Sequence, residues 1–458
     1  SISRILEANG AVVWRADYFG DVGMHVAKSI WGLGQMLEQE GLNIEKIAEK
    51  SLGDRIDYLG KAYAKGSNEY EENENVKKEV AHLNKLIYIA SQQMWQKEEG
   101  IVPNIDYKKD EIIDESELAQ VYQLYKLGRD WSLENFEKQY VRLGTKFDGY
   151  YPESKASEKG YQLVYDNLKK GTFVQSEGAI IFPGEEYGLH TRVFINKLGL
   201  PTYEAKELGL APWKYEDFRY DLSLIITGNE ISDYFKVLVK ALTEINPELG
   251  EKTKPILHGM VKLPEGKMSS RSGNVVTVNW LLDEAKKRVM PLLSEEVEDN
   301  DQVGEIIGVA AVKYALLKSS IGPDITFDFK ESISFEGNSG PYIQYVYART
   351  QSVLLKAGAT VNNSELTINK LESEERELLR LLTKFDEVVE EAAARLAPNI
   401  VCSYLFELSQ AFNLFYQKCP IIKSEEVIRE FRLSLTAKTG EIIKSGLNLL
   451  GIQAPLKM

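Results

Sequence analysis

The chain has 458 residues, 43% of them hydrophobic, and a formal net charge of −14 at pH 7. That length can bury more than one core and suggests two or three domains. The charge argues against indiscriminate binding of a polyanion, so a nucleic-acid partner requires local basic patches.

In chain order, Ser1 to Asn9 reads as a helix, with Ile2, Ile5 and Leu6 on one face and Gly10 suited to a C-cap. Val12 to Phe19 is strand-like and Val22 to Gln39 helical. A long helical insertion is expected from about Ile44 to Lys146, with Glu69 to Glu74 as a solvated loop within it. Short strands follow around Phe173–Ile181 and Thr191–Ile195, then a buried strand at Leu222–Thr227 and a helix at Ile231–Leu242. Ile256 to Val261 is a further strand leading into a polar loop, and Val278 to Val289 is apolar and helix-like. This alternation predicts a parallel sheet covered by helices, with ligands at the carboxyl ends of the strands.

From Val303 the period is helical. Val303, Ile306, Ala310, Tyr314 and Leu317 line one face, and Val401, Leu405, Leu408, Phe412 and Phe415 another. The expected class is therefore α/β, a Rossmann-type sheet domain with a helical insertion, followed by an all-α domain. The boundaries are set at 1–332, with the insertion at about 44–170, and 333–458. The longest apolar stretch, Ile400 to Tyr416, is interrupted by Glu407 and keeps a helical period, so no membrane span is expected. Cys402 and Cys419 lie in this helical region at a spacing that matches neither a metal knuckle nor a disulfide framework, and no metal site is expected.

The polar loop, Lys267–Met268–Ser269–Ser270–Arg271–Ser272–Gly273–Asn274, packs two cations and three hydroxyls into a short glycine-flanked segment. Such a loop can reach over a triphosphate with a point charge, a forked donor and hydroxyl donors. It resembles the second ATP-binding signature of class I aminoacyl-tRNA synthetases, in the form used by arginyl-tRNA synthetases. Tyr18–Phe19–Gly20–Asp21–Val22–Gly23 is similar to that family's Y-x-G-D-x-G, and 335–345 to its F-E-G-x-x-G-P-Y-x-Q-Y. The ending on Met458 also matches. Four segments in family order thus span residues 18 to 458.

The resemblance implies ATP-dependent activation of L-arginine, then transfer to the 2′-hydroxyl of the terminal adenosine of tRNA(Arg). Lys267, Ser269, Ser270 and Arg271 would stabilise the departing pyrophosphate, and Lys267, Met268 and His258 would contact ATP, with Mg2+ arriving on the nucleotide. Glu153, in a segment resembling one that ends in E-S, would hold the guanidinium. Tyr203 and Glu207 match Y-x-x-x-D, with glutamate in place of the usual aspartate. Ile231 and Tyr234 stand where the family carries glutamine and histidine, and Ser270 where it carries a second lysine, a charge that Arg271 or Lys262 would replace.

Tyr342 and Tyr345, three apart and on one helix face, would meet anticodon bases; Arg349 would meet a phosphate, and Met458 would lie at the same site. Residues 421–458 carry six cations against four glutamates, a modest basic excess.

The family's H-x-G-H is not found among His25, His82, His190 and His258. A helix followed by the second strand implies that the signature lies upstream of Ser1, and an amino-terminally truncated chain of low activity is expected. A soluble, cytoplasmic monomer is the expected form. Two alternatives stay open: a class I synthetase for another amino acid, such as cysteine or glutamine, or a synthetase-like RNA-binding protein without catalysis.

Overall fold

The computed structural model describes residues 1–108, 112–264, 277–294, 299–358, 368 and 370–458. The expectations for Lys267, Met268, Ser269, Ser270 and Arg271 lie outside the described residues.

The chain opens with α1 (Ile2–Ala8), β1 (Ala16–Phe19) and α2 (Met24–Glu40). The insertion follows as α3 (Ile44–Ala48), α4 (Leu52–Glu72), α5 (Glu74–Glu99) and α6 (Glu115–Arg142). Next come β2 (Gly149–Pro152), α7 (Glu153–Leu168), β3 (Val174–Ser176), β4 (Ala179–Phe182), β5 (Arg192–Ile195) and α8 (Tyr203–Asp217). After β6 (Ser223–Gly228), α9 (Ser232–Ile245), α10 (Pro247–Lys252), β7 (Thr253–His258) and β8 (Val261–Lys262) stand α11 (Val278–Val289), α12 (Asn300–Leu317) and β9 (Ile325–Thr326). The remaining helices are α13 (Phe329–Ser332), α14 (Gly340–Ala357), α15 (Ser373–Leu382), α16 (Phe385–Ala394), α17 (Pro398–Lys418) and α18 (Glu426–Leu449).

β1 pairs in parallel with β2, and β6 in parallel with β7. Four expectations need correction. Residues 174–195 form an antiparallel meander, β3-β4-β5, rather than part of the parallel sheet. The insertion ends before Gly149, because β2 hydrogen-bonds to β1 and so belongs to the sheet. The expected 69–74 loop is helix up to Glu72. Glutamate is a good helix former, and the chain turns at Asn73 alone, whose side chain accepts from the Asn75 amide and caps α5. Finally, α12 is buried on more than one face.

Two helix crossings are backbone-to-backbone. A Cβ on Gly160 of α7 would lie 1.8 Å from the Ala205 carbonyl oxygen of α8, and one on Gly66 of α4 would lie 1.9 Å from that of Lys28 in α2. Only hydrogen fits at either place. The carboxy-terminal helices enclose their own core around Leu405, Leu408, Phe412 and Phe415, and Tyr314 of α12 and Ile5 of α1 reach into it. No described helix is long and apolar enough to cross a membrane.

Candidate active site

α7 begins at Glu153 with no side-chain cap of its own. Asp21 substitutes: its carboxylate accepts from the Ser154 amide at 2.8 Å and the Ser154 hydroxyl at 2.7 Å. A carboxylate at a helix amino terminus is favoured by the exposed amides and the helix dipole. Arg129 of α6 donates to the same carboxylate at 3.0 Å, which fixes the insertion to this corner.

A cavity of about 1130 Å³ lies between β1 and β6 and is walled by α8 and α9. Tyr203, Glu207 and Lys214 reach it from one helix, Tyr18 from β1, and Ile231 and Tyr234 from the start of α9. Glu207 makes no hydrogen bond or ion pair among the described residues. Burial, reinforced by Glu153 and opposed by Lys214, pushes its carboxyl up to about 7. Burial lowers the Lys214 ammonium, which donates to the Ser223 hydroxyl at 2.9 Å. Among the described residues the buried Tyr18 hydroxyl has no hydrogen-bond partner, and burial raises its pKa well above the phenol value.

Glu153 is placed differently from the expectation. It does not line the cavity; its Oε2 accepts from Lys206 Nζ at 2.6 Å, and the two side chains are 7% and 2% exposed. Burial works to lower the Lys206 pKa, but Tyr88 and Glu153 hold it above its usual value. The ammonium also stands 4.6 Å from the centre of the Tyr203 ring. Glu153 is therefore already neutralised from within the protein. The motif spacing gave no sign of this, since Lys206 falls on an unspecified position. Lys214, Arg192 and Tyr18 were likewise passed over as site residues.

His258 closes β7 with an exposed side chain, its Nδ1 2.9 Å from the Gly259 carbonyl oxygen. Lys262 is tied to Asp324 in an ion pair. Among the described residues, no group of three or more His, Cys, Asp or Glu side chains is arranged to hold a metal ion.

In the helical domain, Tyr345, Arg349 and Met458 border one cavity of about 530 Å³, together with Tyr416, Lys356 and Lys423. Arg349 donates to the Tyr345 hydroxyl at 2.8 Å and lies against the Tyr345 and Tyr416 rings. Tyr342 does not share this face. It packs edge-on against Phe406, and its hydroxyl accepts from Asn413 at 2.9 Å. Arg432, one of the six cations of residues 421–458, is buried and pairs with Glu375 at 2.7 Å.

The family described as tRNA synthetases class I (R), catalytic domain, matches residues 1–329, and that of the DALR anticodon binding domain matches 343–458. The arginine–tRNA ligase of Phocaeicola vulgatus is 30% identical, over 100% of this chain and 76% of its own length. That of Treponema denticola is 32% identical over 98% and 73%. The fold is similar to those of the arginyl-tRNA synthetases of Thermus thermophilus (TM-score 0.76, 23% identity, covering 100% of this chain and 78% of that one) and Plasmodium falciparum (TM-score 0.73, 20% identity, 100% and 72%). A parallel-sheet domain carrying an acid-lined cavity, joined to a helical domain with a basic, aromatic one, is thus matched in both halves by a single family: the chain belongs to the arginyl-tRNA synthetases of class I.

Proposed function

We propose that L-arginine binds in the large cavity with its guanidinium on Glu207, against Tyr203, and that Glu153 supports the pocket from behind through Lys206. The observation that carries this reading is that, among the described residues, the Glu207 carboxylate beside Tyr203 is unpaired, while Glu153 behind the wall is already satisfied by Lys206. A guanidinium offers donors in a planar fork that suits a carboxylate, whereas lysine's ammonium is a point charge.

Class I synthetases use ATP, generally with Mg2+. In this reading the nucleotide lies at the carboxyl ends of β6 and β7, near His258, and Lys267, Met268, Ser269, Ser270 and Arg271 serve its phosphates. The arginine carboxylate attacks the α-phosphate and pyrophosphate leaves with both electrons of the broken P–O bond. The 2′-hydroxyl of the terminal adenosine of tRNA(Arg) then attacks the adenylate carbonyl and AMP departs. Protein groups position the reactants and stabilise charge. Tyr345, Arg349 and Met458 face the tRNA, and the chain acts as a monomer.

The test is Glu207→Gln, which keeps shape and removes charge. A hydrogen bond to a charged group is worth roughly 1.5–3 kcal/mol, so calorimetric titration should show arginine binding weakened at least about tenfold and ATP binding unchanged. Unaltered arginine affinity would overturn the assignment.

A further inference from the structure

Tyr203 is held through both its hydroxyl and its ring. Its hydroxyl lies 3.0 Å from His25 Nδ1, the two rings are stacked at 6.4 Å, and His25 Nε2 lies 3.3 Å from the Gly20 carbonyl oxygen. A carbonyl oxygen only accepts, so a neutral His25 that bonds to it carries its proton on Nε2. Its Nδ1 is then an acceptor, and the Tyr203 hydroxyl must donate to it. That use of the proton leaves the Tyr203 oxygen with lone pairs alone toward the ligand.

We infer that His25 is a positioning residue that fixes the polarity of the Tyr203 hydroxyl, making its oxygen an acceptor for a cationic end of the substrate. This rests on the reading that arginine occupies the cavity. Protonated His25 would donate from both nitrogens. The Tyr203 oxygen would then accept from Nδ1 and turn its own proton outward, against a guanidinium or ammonium. Arginine affinity therefore falls as His25 gains a proton.

The charged and titratable groups around His25 come from every element packed on it. Lys206 and Tyr203 stand on α8 and Glu153 on α7: a Cβ on Gly20 would lie 3.1 Å from His25 Nε2 and 3.3 Å from Glu153 Oε1, and one on Gly23 3.4 Å from Lys206 Nζ. Asp21, Tyr63 and Arg129 share a small cavity with His25 on its other side. Glu153 with Lys206, and Asp21 with Arg129, are internally paired. The imidazole is thus the one unpaired ionisable group among the described residues in direct contact with the Tyr203 hydroxyl.

The deciding variant is His25→Gln, whose amide can accept from Tyr203 and donate to Gly20 without titrating. L-arginine binding is measured by calorimetry from about pH 8.5 to about pH 5.5. Glu207 contributes a proton-linked change common to both proteins, so their ratio isolates the imidazole. The expected ratio is near one at about pH 8.5, with the variant at least about fivefold tighter at about pH 5.5. His25→Phe, which offers no acceptor, should bind at least about threefold more weakly than wild type at about pH 8.5. In a Tyr203→Phe background the difference between histidine and glutamine should vanish. Nitrogen-15 imidazole shifts should report the Nε2-protonated form at about pH 8.5. A ratio that does not change with pH, a difference that survives Tyr203→Phe, or an Nδ1-protonated ring would each overturn the inference. If instead wild type does not bind arginine, or Glu207→Gln and Tyr203→Phe both bind it normally, the cavity assignment itself fails.

Discussion

Replacing Gly160 by alanine tests how the arginine pocket is built. The added Cβ would stand 1.8 Å from the Ala205 carbonyl oxygen and 2.6 Å from its carbon, and these are backbone atoms that cannot swing aside. Real Cβ atoms essentially never approach closer than 3.0 Å, so α7 and α8 must part by at least 1.2 Å. Overpacking of this kind costs about 1–3 kcal/mol, and more where the backbone cannot yield. Alanine recovers about 1 kcal/mol of helix propensity over glycine. The structure puts the steric side ahead, because Gly209 of α8 meets the Gly160 amide at the same crossing, and a Cβ there would lie 2.3 Å away. With a backbone-on-backbone clash at or above the top of that range, the expected net loss is about 2 kcal/mol or more. Gly60, on the exposed side of α4 with nothing within 4 Å of its ideal Cβ, is the control. There the same substitution should stabilise by about 0.5–1 kcal/mol. Urea unfolding midpoints at constant m-value give both numbers. Because α7 starts at Glu153 and α8 carries Tyr203, Lys206 and Glu207, the Gly160 variant should also bind arginine more weakly. A Gly160→Ala protein as stable as the parent would refute the close crossing and, with it, the pocket geometry drawn from it.

Lys206→Met should destabilise by about 3–5 kcal/mol by stranding Glu153 in the interior, and the double variant Lys206→Met with Glu153→Met should be less damaged than the single one; equal losses in urea unfolding would show that the pair is not coupled. Glu207 has its folded-state pKa raised from 4.5 to about 7. Folding therefore favours its protonated form, and its stability contribution is lost as pH rises through that window. Arginine binding requires the carboxylate, so affinity should climb by up to about tenfold per pH unit on approaching pH 7 and level off above it, and a Glu207→Gln protein should keep only the smaller part of this rise that His25 supplies. Tyr345→Ala should weaken tRNA binding by roughly 1–3 kcal/mol if the ring stacks on a base, while Tyr342→Ala should lower the unfolding midpoint and leave tRNA affinity the lesser casualty; filter binding and urea unfolding on both variants separate the two roles.

Much of this architecture was legible in the residues. The helical period from Val303 onward and the strand-like run ending at Phe19 both correspond to elements of that type, and the motif segment at 18–23 meets the one ending at Glu153 and Ser154 where Asp21 caps α7. What escaped the reading is information that a linear pattern does not hold. The strands near 174–195 carry the right composition, but their pairing direction is set by tight turns such as the one at Glu177 and Gly178, both with positive φ. A motif written as Y-x-x-x-E names the first and last residues of one helical turn and is silent on Lys206 between them. That lysine decides which carboxylate is free. Tyr342 and Tyr345 fall close together on a helical wheel, yet a neighbouring helix covers one and leaves the other open. Arg432 looks like any surface cation until Glu375 is brought to it from 57 residues away.

Asp21 has a consequence for how the molecule comes apart. One carboxylate accepts from the first turn of α7 and from Arg129 in the last helix of the insertion. Beside it, Trp95 of α5 donates to Ser154, Gln92 to Glu158, and the Tyr88 hydroxyl to the Pro201 carbonyl. Opening the insertion would strip these partners from polar groups in the first turns of α7 and just before α8. Each such loss costs about 1–3 kcal/mol, which is a large share of what holds a domain folded. The helical insertion is thus no detachable ornament on the sheet. The two should melt as one cooperative unit, and amide protons in α5 should exchange with solvent no sooner than those at the start of α7.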